Sequence, residues 1–223
     1  MRIKRYLNSS IGKKQFLGVT GLMLCGFLVT HLLGNFLILK GAEAFNTYAH
    51  TLITNPLIIP MEIGLLLVFL SHIVLAMKLT IENKMARPQN YYLKSRTGRG
   101  ATLASSTMPI TGMIVLVFLI FHMLHFRFGP HYTVMHHGVE MRDLYRLLLE
   151  VFQNPLIVFF YIFATMSLGL HVSHGFWSAF QSIGFNHPEY TPMLKKLALV
   201  YAIVIVIGYS ILPIYAYLQG GPQ

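Results

Sequence analysis

Apolar residues in this chain run in long blocks, and the polar positions are crowded into the connections between them. Crossing a bilayer core of ~30 Å takes ~20 mostly apolar residues at the ~1.5 Å rise of an α-helix. Five stretches satisfy this, at about 15–39, 57–79, 106–127, 154–182 and 194–218. The first carries no charge from Gln15 to Leu39, and the second has only Glu62 between Leu57 and Met77, with Pro56 and Pro60 marking its start. The first stretch is longer than a signal-peptide core, contains His31 and Asn35, and lacks a convincing small-residue cleavage site, so it is expected to stay in the chain. The pattern predicts an all-α bundle of five transmembrane helices forming one domain over residues 1–223.

Composition agrees: 55% of the 223 residues are hydrophobic and only 11% charged, against ~25% charged in a typical soluble protein. The formal net charge of +10 would suit nucleic acid on a soluble domain, but a mean hydropathy of +0.59 leaves none to present it. We therefore expect lipid contact and no nucleic-acid partner, and read the basic residues as topology. Thirteen of the seventeen Lys and Arg fall in the N-terminus (Arg2, Lys4, Arg5, Lys13, Lys14), the second connection (Lys78, Lys84, Arg87, Lys94, Arg96, Arg99) and the fourth (Lys195, Lys196). Positive residues are retained inside, so the N-terminus is predicted cytoplasmic and the C-terminus external.

The single cysteine, Cys25, excludes an internal disulfide, a four-thiolate iron–sulfur cluster and thioether-attached haem, which leaves the eleven histidines as candidates for chemistry. One histidine in an apolar helix is usually a hydrogen-bonded packing residue, but four stand at matched depths. His31 and His122 lie ~22–24 Å into helices entering from inside, and His72 and His171 the same distance into helices entering from outside. They form an outer pair and an inner pair, ~15 Å apart in depth. Ionisable groups at such depth point to function, and two imidazoles on facing helices are what six-coordinate b-type haem needs. Gly34, Ala76 and Gly175, three or four residues beyond ligand positions, would let backbone approach a macrocycle. A metal transporter fits less well, because two separated layers cannot hold one ion.

One echo runs through the chain: Val19-Thr20-Gly21 precedes His31, and Ile110-Thr111-Gly112 precedes His122, with eleven residues from Thr to His in both. The ordinary reading is close helix approach at small residues. His125 and His174 share their neighbours' faces one turn nearer an interface, as hydrogen-bonding or packing groups. His50, His131, His136, His137 and His187 fall in connections and are expected to be solvated.

Ser9-Ser10-Ile11-Gly12-Lys13-Lys14 leading to Thr20-Gly21, His31-Leu32-Leu33-Gly34-Asn35, Ser71-His72 with Ala76-Met77, Thr111-Gly112 running to His122-Met123-Leu124-His125-Phe126, and Gly169-Leu170-His171 follow one another in a specific order. With these motifs the chain resembles the membrane cytochrome b subunit of succinate:quinone oxidoreductases, the succinate dehydrogenase and fumarate reductase family, in its single-chain, five-helix, two-haem form. The resemblance implies two haem b groups, His31 with His122 at the outer iron and His72 with His171 at the inner one. It also implies flavoprotein and iron–sulfur subunit partners, a prokaryotic cytoplasmic membrane, and electron transfer to or from a quinone, in two-haem members typically menaquinone. A family acidic residue of the first outer connection falls near Glu43, a quinone-site candidate. Some fumarate-reducing relatives carry a Glu two residues before the fourth ligand, linked to compensating proton movement; here that position is Gly169, expected to pack closely instead. The cytochrome b of a formate dehydrogenase or hydrogenase, or a haem-free histidine-containing transporter, is the alternative from residues alone.

Overall fold

The computed structural model describes residues 5–6, 9–86 and 103–221. Five helices are long and apolar enough to cross a membrane. The first, α1 (Ser10–Asn35), starts where the Ser9 hydroxyl accepts from the Gly12 N–H at 3.1 Å and continues as a 3-10 turn (Phe36–Lys40). The others are α3 (Ile58–Met85), α5 (Met108–His122), α7 (Pro155–Ser182) and α8 (Thr191–Leu218). Asn154 caps α7 through Leu156 N–H, and proline in the first turn starts α5, α7 and α8. α5 ends in a π-helical turn (Met123–Arg127) closed by Phe128 N–H to Met123 C=O at 2.9 Å.

Shorter elements are α2 (Ala42–Thr54), α4 (Leu103–Ser106), a hairpin of β1 (Thr133–His136) and β2 (Val139–Arg142), and α6 (Leu144–Val151). The hairpin adds two short strands to the otherwise helical described residues. His137 (φ 51°) and Gly138 (φ 76°) are both left-handed, as a two-residue hairpin turn of matching twist requires.

Packing order explains the site. α7 lies along α8 as the most extensive contact; α1 packs on α3 and α7, and α5 on α7, while α1 with α5 and α3 with α7 stand as diagonals that are not among the close pairs. Ion pairs fix the antiparallel alternation: Lys13 near the start of α1 meets Glu82 near the end of α3 at 2.5 Å, and Glu62 near the start of α3 meets Arg127 at the end of α5 at 3.2 Å. Lys13 is thus a buried tie rather than a solvated topology signal. Arg96 and Arg99 lie outside the described residues.

Little of this surface could face water. α3 buries only Leu79, leaving Leu66, Leu67, Leu70 and Val74 exposed, and α8 exposes Leu199, Val200, Ile203, Val204 and Ile207. A helix apolar all round fits lipid. Where lipid is as apolar as the side chains, helices associate by close fit. Gly169 shows this: a Cβ built there would sit 2.2 Å from Val206 Cγ2, so α7 and α8 meet with no room for a side chain. Gly208 admits Leu32 of α1 in the same way. Two tyrosines of α8 staple α1, Tyr201 donating to Cys25 C=O at 2.8 Å and Tyr209 to Leu28 C=O at 2.7 Å.

Valine in a helix has essentially one rotamer, so the strain at Gly169 cannot be relieved by rotation. Gly169→Ala should cost about 1–3 kcal/mol, seen as a lower thermal midpoint of the detergent-solubilised protein, and Val206→Ala in the same chain should recover most of it. An unchanged midpoint in the single variant would show that α7 and α8 can separate at no cost.

Candidate functional site

The four depth-matched histidines meet in two pairs, each across a diagonal of the bundle. His31 of α1 faces His122 of α5 with ring centroids 5.9 Å apart, and His72 of α3 faces His171 of α7 at 6.4 Å. The helices of each pair do not otherwise pack closely, so the rings project into the space between α1, α3, α5 and α7. Thr20 touches the His72 ring and lies eleven residues before His31, which separates the two levels by ~16 Å along the helix. All four rings are half-buried.

A metal–imidazole nitrogen bond is about 2 Å, which puts the centroids of two rings ligating one metal from opposite sides about 6 Å apart. Both pairs stand at that spacing. The ring planes cross at 85° and 66°. His122 Nδ1 is buried without a hydrogen-bond partner among the described residues. The residues therefore fit two bis-imidazole groups. Among the described residues no three of His, Cys, Asp and Glu gather as around a bare ion, so the titratable groups come in twos.

The surroundings differ between levels. Around His31 and His122 lie Phe27, Phe118, Phe126, Tyr161 and Tyr209. At the other level Thr20 Oγ1 is 3.3 Å from His72 Nδ1, and Thr111 Oγ1 is 3.2 Å from His171 Nδ1. Sequence reasoning noticed both threonines but assigned them to helix approach. Their partners sit on other helices, 52 and 60 residues further along the chain, which no local pattern reveals.

Other expectations shift. Gly34 does not open toward a macrocycle, because its space is filled by the Tyr48 ring, 2.8 Å from a built Cβ. His125 stacks on Tyr161 and hydrogen-bonds its hydroxyl at 2.9 Å, which orients it within the protein. Tyr161 carries no sequence signal beyond being aromatic. His136, expected to be solvated, has its Nε2 buried and unpartnered.

Glu43 stands in the exposed first turn of α2 and contacts His137 of the hairpin turn at 2.6 Å. It borders a shallow cleft of about 500 Å³ with Lys40, Thr47 and Tyr48, which contains none of the paired histidines. Below it, fully buried Asn46 donates to Asp143 Oδ1 and accepts from Tyr145 N–H, both at 2.9 Å, locking α2 to α6.

Fold and site together define an integral membrane protein whose five-helix bundle sets two imidazole pairs one above the other. Its sequence is similar to that of the succinate dehydrogenase cytochrome b558 subunit of Bacillus subtilis (strain 168), 25% identical over 185 residues, covering 82% of this chain and 83% of that one. The resemblance to succinate dehydrogenase cytochrome b subunits carried by the motifs is thereby borne out. No family model matches the chain. No solved structure matches it either.

The hydrogen bond from His137, followed by its charge, holds the Glu43 carboxyl below the usual carboxylate range. A depressed folded-state value means that the pair contributes above the ordinary pKa and is lost as pH falls through the folded one. His137→Gln should raise the Glu43 pKa toward its ordinary value of about 4.3, measured by infrared titration of the carboxylate. No change in that titration would show that the contact does not persist in solution.

Proposed function

We propose that this chain is the membrane-anchoring cytochrome b subunit of a succinate:quinone oxidoreductase, acting as a single transmembrane domain that holds two haem b groups. The observation that carries this reading is the diagonal approach of His31 to His122 and of His72 to His171, at centroid distances of 5.9 and 6.4 Å, on two levels of one bundle. The named function of the Bacillus relative supports it. His31 and His122 hold one iron, His72 and His171 the other. Haem b, when bound, supplies one-electron transfer.

The chain's own residues do the rest. The imidazoles present neutral nitrogen donors, and the aromatic shell of Phe118, Phe126 and Tyr161 excludes water from the His31–His122 level. The basic residues of the N-terminus and of the second and fourth connections place the N-terminus inside and the C-terminus outside, with the His72–His171 level toward the cytoplasm. Flavoprotein and iron–sulfur subunits dock on that basic face, and the two levels carry electrons between them and a quinone, menaquinone in this reading, at the other side. Glu43 remains the quinone-contact candidate, on the external surface. Gly169 has no side chain to carry a proton.

The reduced-minus-oxidised spectrum of the complex should show two b-type haems. His31→Ala or His122→Ala should abolish one low-spin bis-imidazole signal in electron paramagnetic resonance, and His72→Ala or His171→Ala the other. A His31→Ala protein that keeps both signals would overturn the assignment. With no proton carrier at Gly169, succinate-to-quinone activity in sealed proteoliposomes should respond to a protonophore. Indifference, in vesicles shown to hold a potential, would mean that the quinone site or the uncompensated charge movement is wrong.

A further inference from the structure

The threonines of the repeated Thr-Gly motif stand apart from the other threonines of the membrane helices. A threonine in a helix commonly donates its hydroxyl proton to the carbonyl one turn back, and Thr20, Thr30, Thr80, Thr111 and Thr165 all do so. Thr20 and Thr111 alone among these five also meet an imidazole. Thr20 donates to Phe16 and Leu17 carbonyls, both at 3.0 Å, and Thr111 to those of Thr107 and Met108 at 3.1 and 3.2 Å. Each hydroxyl has one proton, and it is committed to its own helix. Toward the histidine each oxygen has only lone pairs left, so the ring nitrogen must be the donor.

The glycine next in sequence completes the fit on both sides. A Cβ built on Gly21 would lie 3.3 Å from His72 Cε1, and one on Gly112 would lie 3.4 Å from His171 Cε1. Both threonines are buried, each 4% exposed. The arrangement recurs with α1 against α3 and with α5 against α7, so the two halves of the four-helix core are built alike at this level. Among the described residues no threonine oxygen meets His31 or His122, and His122 Nδ1 has no partner.

We infer that Thr20-Gly21 and Thr111-Gly112 are twin positioning devices for the His72–His171 pair, each threonine oxygen accepting the Nδ1–H and each glycine leaving room for the ring. This rests on the haem reading above. The tautomer is thereby fixed with the proton on Nδ1, and Nε2 of both histidines is left as the free donor to iron. An Nδ1–H that is hydrogen-bonded makes the ring a stronger donor, and loss of such outer partners typically costs ~10–100-fold in metal affinity. Among the described residues the His31–His122 level has no such support, so the two haems differ in how their ligands are held.

The test compares Thr20→Val and Thr111→Val, which keep side-chain shape, with Thr20→Ser and Thr111→Ser in the complex purified from membranes. Haem per polypeptide, low-spin electron paramagnetic resonance and potentiometric titration are read for each haem. The valine variants should bind the His72–His171 haem ~10–100-fold more weakly, with its midpoint potential raised because the weaker donor favours ferric iron less. The His31–His122 haem should be unchanged, which also reports that the bundle has folded, and serine should restore both properties. An unaltered His72–His171 haem in both valine variants would overturn the inference, as would equal loss of both haems. A wild-type complex without haem would overturn the functional reading itself, and the inference with it.

Discussion

An imidazole nitrogen inside an apolar bundle has no water to bond, so each must find a protein partner or hold something else. The centre of this structure is arranged around that requirement. Four rings reach into one space along two diagonals, with threonine oxygens taking one nitrogen of each ring at one level. Diagonal placement matters because adjacent helices are in close contact, whereas the helices of each histidine pair are not. Across the diagonal the rings stand about 6 Å apart.

The packing that keeps those diagonals open is concentrated elsewhere. α8 supports α7 through the close approach at Gly169 and α1 through Gly208 and the hydroxyls of Tyr201 and Tyr209. With no histidine of its own, this fifth membrane helix sets the positions of two helices that carry the paired histidines. At one end Asn46, Asp143 and the Tyr145 N–H join the first and third connections, and Arg142 donates to the carbonyls of Phe126 and Pro130 where α5 ends in its π turn. At the other end buried Lys13 pairs with the partly exposed Glu82 and ties α1 to α3. Each tie joins elements far apart in sequence and fixes the rotation of a helix about its own axis, which decides where an imidazole points.

The Thr-Gly repeat shows how sequence and tertiary structure divide the information. Identical spacing to His31 and His122 puts threonine and histidine on one face of a single helix, where they could be taken to serve one another. They do not: Thr20 serves His72, while His31 on the same helix reaches His122. The repeat reflects two helix pairs built to one plan, in which the odd member carries a histidine of one pair and a threonine against the other.

Five membrane helices and four depth-matched histidines were legible in the sequence, because apolar length and residue count along a helix are local properties that the bilayer converts directly into span and depth. The hairpin turn at His137-Gly138, the burial of Lys13, the filling of the Gly34 face by Tyr48 and the Thr–His contacts were not. Those depend on how each helix is rotated and which neighbour it meets. In a membrane, where apolar faces are equivalent, that choice is made only by the fit of glycines, tyrosines and buried polar ties once the bundle has assembled.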